Sequence, residues 1–349
     1  MAPVKLNKEN MKFIGRIYLN DGMIMLAHSG TGVAFNAGKG MLKITFGSDT
    51  SSFGEDETCF PRIGIYVNDV RIIDDIIDID EKSFSIDSIR EDSVVQIIKL
   101  SESQQSVTAI KSIEASQEIS PVSDLSHLIE FVGDSITCGY GIEASLEESF
   151  STRTEDCTKA YAYKLAKHLG CDYSLVSLSG FGIISGYSED GETRRIEKLF
   201  PEYYEQCGFS HYSYYGQYPQ DVDWDFEKRE RDLVVIFLGT NDISYCRNYL
   251  DRKEWFEEDY FRFIKTVREK NRKAKILCTL GTMGSELCEN VSRAVNRYVE
   301  ETKDTDIYYQ ELPVQSIEDG LAADSHPTER TNEKVAEILA KKINSILQL

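Results

Sequence analysis

Four apolar runs in the second two-thirds of this 349-residue chain each end at a turn that contains glycine. The turns are Gly133-Asp134-Ser135, Ser179-Gly180-Phe181-Gly182, Gly239-Thr240-Asn241-Asp242 and Gly281-Thr282-Met283-Gly284. Stretches with helical periodicity separate the runs, and strands that alternate with helices predict an α/β fold with a parallel sheet between helices. Since a parallel sheet brings the C-terminal ends of its strands to one edge, we expect Ser135, Gly180 and Asn241 to lie close together.

The first third of the chain carries signals for strands only. Short β-branched runs separated by glycine, asparagine and aspartate extend from residue 13 to about residue 120 and predict a sandwich or barrel. The polar, proline-containing stretch 116–124 reads as a linker. A chain of this length exceeds the size of one core, so we predict a β-sandwich domain at 1–120 and an α/β domain at 121–349. The sandwich either binds sugars or packs on its neighbour and forms one wall of a cleft.

Charge and cysteine usage limit the possible partners. Acidic residues outnumber basic ones by 59 to 39, for a formal charge of −20, which disfavours nucleic acid and anionic membranes as partners. The start of the chain lacks the apolar core of a secretion signal, so we expect a cytoplasmic protein, although a trimmed secreted protein would look the same. The eight scattered cysteines form no C-x-x-C pair and are expected to be buried thiols, with no disulfide framework or zinc site.

Ser135 is the candidate nucleophile, because it follows a buried strand at the edge where α/β sheets place their sites. A serine nucleophile needs a base, and four of the five histidines are poorly placed for that role. These are His28 in the β region, His127 at the opposite end of the first strand, His168 at a helix end and His211 in a tyrosine-rich insertion. We predict His326 as the base, in a loop that a following proline and a threonine cap would fix.

The tetrahedral intermediate of acyl transfer needs hydrogen-bond donors. The candidates are the backbone N–H of Ser135, the backbone N–H of Gly180 and the side-chain amide of Asn241, which donates without carrying a charge. We expect Asp134 to orient the nucleophile turn and Asp242 to be a turn and cap residue.

Together, Gly133-Asp-Ser-Ile-Thr137, the glycine after the second strand, Gly239-Thr-Asn-Asp242 and a late Asp-x-His-Pro resemble the SGNH (GDSL-type) hydrolase superfamily. The longer motif Gly133–Gly141 and the sequences 155–162, 179–182 and 224–226 resemble carbohydrate esterase family 2. This resemblance implies a three-layer α/β/α domain behind an all-β jelly roll. It also implies a serine esterase, without metal or cofactor, that removes O-acetyl groups from xylan-type polysaccharides or their oligosaccharides.

The chain departs from the superfamily pattern near His326. The usual aspartate lies three residues before the histidine, where this chain has Ala323, and Asp324 lies two before. Either the Asp324 carboxylate completes a catalytic triad, or a backbone carbonyl orients His326 and the enzyme uses a dyad. The tryptophan that the family commonly has between aspartate and histidine is replaced by Ser325.

The tyrosine-rich insertion at 203–218 could replace that aromatic platform. Tyr214 and Tyr215 are the candidate sugar contacts, since tyrosine offers an apolar face and a hydroxyl. The same composition also suits a homo-oligomer interface or an ordinary packed loop. Two other functions stay open: a lipolytic or short-chain esterase acting on other acyl groups, and a carbohydrate-binding protein with an inactive hydrolase fold.

Overall fold

The computed structural model describes residues 1–49, 51–54 and 56–349. Its N-terminal region consists of short antiparallel strands, as the glycine- and asparagine-punctuated sequence predicts. The strands are β1 (Ala2–Val4), β2 (Lys12–Ile14), β3 (Tyr18–Asn20), β4 (Met23–Leu26), β5 (Gly32–Ala37), β6 (Gly40–Gly47), β7 (Arg62–Val67), β8 (Val70–Ile76), β9 (Glu81–Ile89), β10 (Ser93–Lys99), β11 (Thr108–Ala115) and β12 (Ile119–Pro121).

These strands form two antiparallel sheets that enclose one apolar core. One sheet has the order β3-β4-β11-β6-β9 with β1 beside β11, and the other has the order β12-β5-β10-β7-β8 with β2 beside β5. Alternate residues of both sheets, such as Ile44 and Ile110 facing Ile65 and Ile97, fill the space between them. The sandwich predicted from the sequence is therefore present. The predicted domain division between residues 120 and 121 stays a prediction, and it falls within β12.

The rest of the chain alternates strands with helices. Its strands are β13 (Leu128–Gly133), β14 (Asp172–Ser177), β15 (Leu233–Phe237), β16 (Lys275–Thr282) and β17 (Ile307–Val314). Its helices are α1 (Ser135–Cys138), α2 (Tyr161–Leu169), α3 (Thr240–Cys246), α4 (Leu250–Lys270), α5 (Cys288–Thr302) and α6 (Glu329–Leu347). Short 3-10 helices lie at Glu57–Cys59, Thr152–Thr154, Ile196–Lys198, Phe200–Tyr203, Pro219–Asp221, Ile317–Asp319 and Ala323–Ser325.

The five strands form a parallel sheet in the order β14-β13-β15-β16-β17. All residues of β13 and β15 are buried, which explains why β15 is entirely apolar and why β13 is apolar except for Glu130, which is paired with Arg16. Helix α2 packs against α6, and α4 packs against α5. Because crossovers between parallel strands are right-handed, the reversal of strand order at β13 puts these two helix pairs on opposite faces, so the domain has three α/β/α layers.

The order of the sheet explains where the site forms. The chain passes from β13 to β14 on one side and then crosses to β15 on the other side. This reversal is a topological switch point, and the crevice beyond the strand ends at such a point is where open α/β folds bind their ligands. The residue that follows β13 and its turn is Ser135.

The two regions share buried surface. Ile14, Ala34 and Ile98 of the sandwich belong to the same buried apolar cluster as Ile129 and Leu175 of the parallel sheet. All eight cysteines are free and seven are buried, which confirms the expectation of buried thiols and leaves Cys59 partly exposed. Among the helices of the described residues, none combines the length and the apolar character that crossing a membrane requires.

Candidate active site

Ser135 begins α1 directly after the strand β13 and the turn residue Asp134. The Asp134 side chain accepts a hydrogen bond from the backbone N–H of Ile136 at 3.0 Å, so it caps this short helix and thereby orients the turn that carries Ser135. The turn also needs glycine at position 133, because an added Cβ would lie 2.1 Å from Thr137 Oγ1. These contacts hold Ser135 at the end of the strand, with 5% of its surface exposed.

His326 reaches Ser135 from the far end of the chain. Its Nε2 lies 2.8 Å from Ser135 Oγ, across 191 residues of sequence. The loop that carries it is fixed by a hydrogen bond from the Ala322 N–H to the His326 carbonyl at 2.9 Å, and by Thr328, which caps α6. The structure thus joins the predicted nucleophile and the predicted base in one hydrogen bond.

The other ring nitrogen of His326 faces a backbone carbonyl. Nδ1 lies 3.0 Å from the Ala323 carbonyl oxygen, which can only accept, so we assign the proton to Nδ1. Nε2 is then unprotonated and can accept the proton of the Ser135 hydroxyl. This is the arrangement that a general base for a serine nucleophile requires.

Asp324 does not take the third position of a triad. Its Oδ2 accepts a hydrogen bond from the Tyr140 hydroxyl at 2.8 Å, and its side chain is exposed. The physical reason is the backbone, since Asp324 (φ 50°) and Ser325 (φ 62°) both adopt left-handed conformations. The Ala323 carbonyl is bonded to the imidazole and the Asp324 carboxylate to Tyr140, so the geometry is that of the carbonyl alternative.

Tyr140 is a site residue that the sequence reasoning missed. Its ring stacks on Phe150 with centroids 4.0 Å apart and lies against the His326 ring at 4.3 Å. Burial raises the pKa of Tyr140, and its hydrogen bond to Asp324 raises it further, so the phenol is neutral. The available signal was an aromatic residue between two glycines, Gly139 and Gly141, just after the nucleophile helix.

Burial also sets the protonation of His326. Removal from water lowers the pKa of the imidazole below its ordinary value of 6.5, and the Ala323 carbonyl and the Asp324 charge offset part of this effect. The ring is therefore neutral at pH 7, which is the form that accepts a proton.

Three hydrogen-bond donors occupy the ends of β13, β14 and β15. Among the described residues, the backbone N–H groups of Ser135 and Gly180 have no hydrogen-bond acceptor. The Asn241 amide donates to the Phe181 carbonyl at 2.8 Å and lies 3.5 Å from Asp134 Oδ2. Asn241 therefore lies between the turn that carries Ser135 and the turn that carries Gly180, as expected for three strand ends that meet at one edge.

Asp242 does more than cap a turn. It is fully buried, and its carboxylate accepts the backbone N–H groups of Ile183, Ile184 and Ser185 at 2.7–3.1 Å. Burial raises the pKa of Asp242 to about 7 although these N–H bonds favour its charged form. The sequence reasoning foresaw a turn residue, whereas the structure shows one carboxylate that holds the segment following Gly180.

The tyrosine insertion packs against the sandwich. Tyr214 is 1% exposed and belongs to an apolar cluster with Tyr18, Met25 and Cys207, so its ring faces are not available to a sugar. Tyr215 is 63% exposed, and its N–H donates to Asp49 on the sandwich at 3.1 Å. For Tyr214 the geometry is that of a packed loop, and the prediction of a sugar contact at this residue is corrected accordingly.

Within the parts of the chain that the structure describes, no group of three or more His, Cys, Asp or Glu side chains is arranged to hold a metal ion.

Known proteins with sequences similar to this chain include two whose names contain an esterase activity. The chain is 32% identical over 228 residues to the cellulase/esterase CelE of Acetivibrio thermocellus. That alignment covers 64% of this chain and 26% of CelE. It is 27% identical over 221 residues to an acetylxylan esterase / glucomannan deacetylase of Cellvibrio japonicus. That alignment covers 62% of this chain and 56% of the relative. The chain therefore spans only about a quarter to a little over half of the length of these relatives.

A solved structure matches nearly the whole chain. It is a family two carbohydrate esterase from Clostridium thermocellum in complex with cellohexaose, 26% identical, with a TM-score of 0.82 over 97% of this chain and 99% of that chain. The family model for GDSL-like lipase/acylhydrolase matches residues 129–339, which include Ser135, Asn241 and His326. This chain is a member of the GDSL-like lipase/acylhydrolase family.

Proposed function

We propose that this chain is a serine esterase that removes O-acetyl groups from xylan-type polysaccharides or their oligosaccharides. The observation that carries the proposal is the 2.8 Å hydrogen bond between Ser135 Oγ and His326 Nε2 beside N–H groups that have no acceptor among the described residues. The substrate class is supported by the relative named as an acetylxylan esterase / glucomannan deacetylase and by the neighbour solved with cellohexaose.

The reaction uses only the residues of the site. His326 Nε2 takes the hydroxyl proton while Ser135 Oγ attacks the acetyl carbonyl carbon. The backbone N–H groups of Ser135 and Gly180 stabilise the oxyanion, together with the Asn241 amide hydrogen that exchanges its long 3.5 Å contact with Asp134 for the oxyanion. The intermediate collapses to acetyl-Ser135, and the imidazolium gives its proton to the departing sugar oxygen. His326 then deprotonates a water molecule that attacks the acetyl-serine, which releases acetate and restores the Ser135 hydroxyl.

The first test removes the nucleophile. Ser135→Ala should lower kcat for an aryl acetate by at least about 10³-fold, because no other group can form the acyl-enzyme. Ser123→Ala, at an exposed serine between β12 and β13, is the matched control and should keep wild-type kcat. Substantial turnover by the Ser135 variant would rule out the assignment.

The second test concerns the substrate. Acetate release is measured on acetylated xylo-oligosaccharides, and release of the aryl alcohol is measured on the octanoyl ester of the alcohol used for the aryl acetate. The proposal requires faster acetate release from the oligosaccharides than octanoyl hydrolysis. The reverse order would point to a lipolytic enzyme, and failure of a fluorophosphonate to label Ser135 would point to an inactive binding protein.

A further inference from the structure

One loop of the sandwich reaches the segment that carries the oxyanion donor Gly180. We call residues 100–107, between β10 and β11, the interdomain loop. Within it, Glu102 is fully buried and Gln104 is 3% exposed. Both side chains contact the backbone of Ser179, the residue immediately before Gly180.

The two contacts hold both polar groups of the Ser179 backbone. Glu102 Oε2 accepts the Ser179 N–H at 2.9 Å, and Gln104 Nε2 donates to the Ser179 carbonyl at 3.2 Å. The Ser179 carbonyl and the Gly180 N–H belong to one planar peptide unit, in which they point in opposite directions. A side chain that fixes the direction of this carbonyl therefore also fixes the direction of the Gly180 N–H.

Gly180 cannot hold this orientation by its own preference. Its φ is 77°, in the left-handed region, and glycine reaches many other conformations at little cost. The donor must nevertheless point to where the oxyanion forms, because an oxyanion hole acts through donors that are already in place. An external contact that fixes the peptide supplies what the glycine lacks.

The interdomain loop is itself anchored by buried polar contacts. Lys99 Nζ donates to the carbonyls of Ser101 and Glu102, each at 2.7 Å, and Glu155 Oε2 accepts the Glu102 N–H at 3.0 Å. Burial raises the pKa of Glu155 well above its ordinary value, and the charge of Glu102 raises it further. Lys99 is the last residue of β10 in the sandwich and Glu155 lies between α1 and α2, so both the sandwich and the parallel-sheet region hold the loop.

We propose that Gln104 and Glu102 of the sandwich are positioning residues for the oxyanion peptide Ser179–Gly180, so that the sandwich takes part in catalysis without touching the substrate. This inference rests on the proposed esterase function. It gives the sandwich a role beyond packing, and one that differs from sugar binding.

The experiment compares Gln104→Met with wild type on an aryl acetate. Methionine has nearly the same length but cannot donate to the Ser179 carbonyl, so we expect kcat to fall about 10- to 100-fold, less than for loss of an oxyanion donor itself, with KM within about threefold. The Ki of phenylboronic acid, whose tetrahedral serine adduct places an oxygen in the oxyanion hole, should rise by a factor similar to the loss in kcat. Gln105→Met, in the same loop but without contact to Ser179, should behave as wild type.

A second pair of variants covers the case in which Gln104→Met does not fold. Glu102→Gln keeps an oxygen that accepts the Ser179 N–H and should retain kcat within about fivefold, whereas Glu102→Met removes the acceptor and should lose kcat like Gln104→Met. Unchanged kcat in Gln104→Met, or equal losses in the two Glu102 variants, would overturn the inference. Wild-type protein without activity on the aryl acetate would instead contradict the proposed function itself.

Discussion

A histidine that donates its Nδ1 proton to a backbone carbonyl is oriented by a neutral acceptor, with no carboxylate bonded to the ring. In His326 the Ala323 carbonyl fixes the tautomer and the direction of the ring, and Tyr140 supports its face. A carboxylate at the same position would also stabilise the imidazolium electrostatically. In His326 the charge nearest the ring is that of Asp324, which raises the imidazole pKa but is hydrogen-bonded to Tyr140 and not to Nδ1.

The role of Asp324 can be tested at this residue. Asp324→Asn should retain kcat within about fivefold, because its side chain contacts Tyr140 while a carbonyl orients His326, whereas removal of a true triad aspartate costs about 10⁴-fold. Asparagine also tolerates the left-handed backbone at this position. The measurement is kcat for an aryl acetate, and a loss of several orders of magnitude would assign the carboxylate to the triad.

The pH dependence follows from the burial of His326. The base works only when neutral, so kcat/KM should be lost as the pH falls through the imidazole pKa, and burial places that pKa below 6.5. We expect activity to be flat near pH 7 and to decline only in more acidic solution. A profile of kcat/KM between pH 4 and 8 checks this, and an acid limb with its midpoint above pH 7 would contradict it.

At the scale of elements, the segment after β14 is held by the first turn of α3. The Asp242 carboxylate accepts three consecutive backbone N–H groups, and the Asn241 amide beside it binds the Phe181 carbonyl. Two neighbouring side chains on one short helix therefore fix the segment that continues from Gly180.

Removing the Asp242 carboxylate should destabilise the protein strongly. Asp242→Ala leaves buried N–H groups without an acceptor, each at a cost of about 1–3 kcal/mol, so we expect a loss of at least about 3 kcal/mol in the free energy of unfolding. Asp251→Ala, at an exposed residue in the first turn of α4, should change stability by less than about 1 kcal/mol. Urea unfolding measures both, and similar stability of the two variants would contradict this account.

The elements that the sequence predicts well are those with a local signal. An apolar run that ends at glycine was enough to place Ser135, Gly180 and Asn241 at strand ends. The choice between the Asp324 carboxylate and a backbone carbonyl could not be made this way, because Asp324 and Ser325 adopt left-handed backbone conformations at positions without glycine.

The sequence also could not predict which side chains are buried by residues distant along the chain. The sequence around Tyr214 is compatible with an exposed aromatic residue. The structure buries it in a cluster formed by residues of β3, β4 and β11 together with loop residues such as Cys207. Glu102 and Ser179 are 77 residues apart, and only the packing of the sandwich on the parallel sheet brings them into contact.

At the scale of the whole molecule, a buried ion pair joins the two regions. Arg16 of the sandwich and Glu130 of β13 are both inaccessible to solvent and lie 3.1 Å apart. Burial opposes ionisation of Glu130, but the charges of Arg16 and Arg231 outweigh it and lower the pKa of Glu130 to about 2. Its contribution to stability is therefore present above pH 4.5 and is lost as the pH falls toward 2.

Breaking this pair should weaken both regions together. Arg16→Ala leaves Glu130 buried with its closest charge partner removed and should cost about 3–5 kcal/mol, within one unfolding transition, because the regions share an apolar cluster. Lys43→Ala, which breaks the exposed pair with Glu114, should cost less than about 1 kcal/mol. Guanidinium unfolding followed by fluorescence and circular dichroism tests this, and separate transitions for the two regions would contradict it.

The carbonyl that orients His326 also determines which mutations can disturb the active site. Every amino acid that a codon can specify at position 323 carries a backbone carbonyl, so no single nucleotide change can delete this acceptor as it could delete an aspartate side chain. The vulnerable positions are instead 324 and 325, where φ is 50° and 62°. Glycine and asparagine adopt this left-handed backbone conformation readily, whereas proline and β-branched residues disfavour it. In a library of random substitutions at positions 324 and 325, activity should therefore follow the preference of each residue for a left-handed backbone. It should depend little on the charge of the side chain.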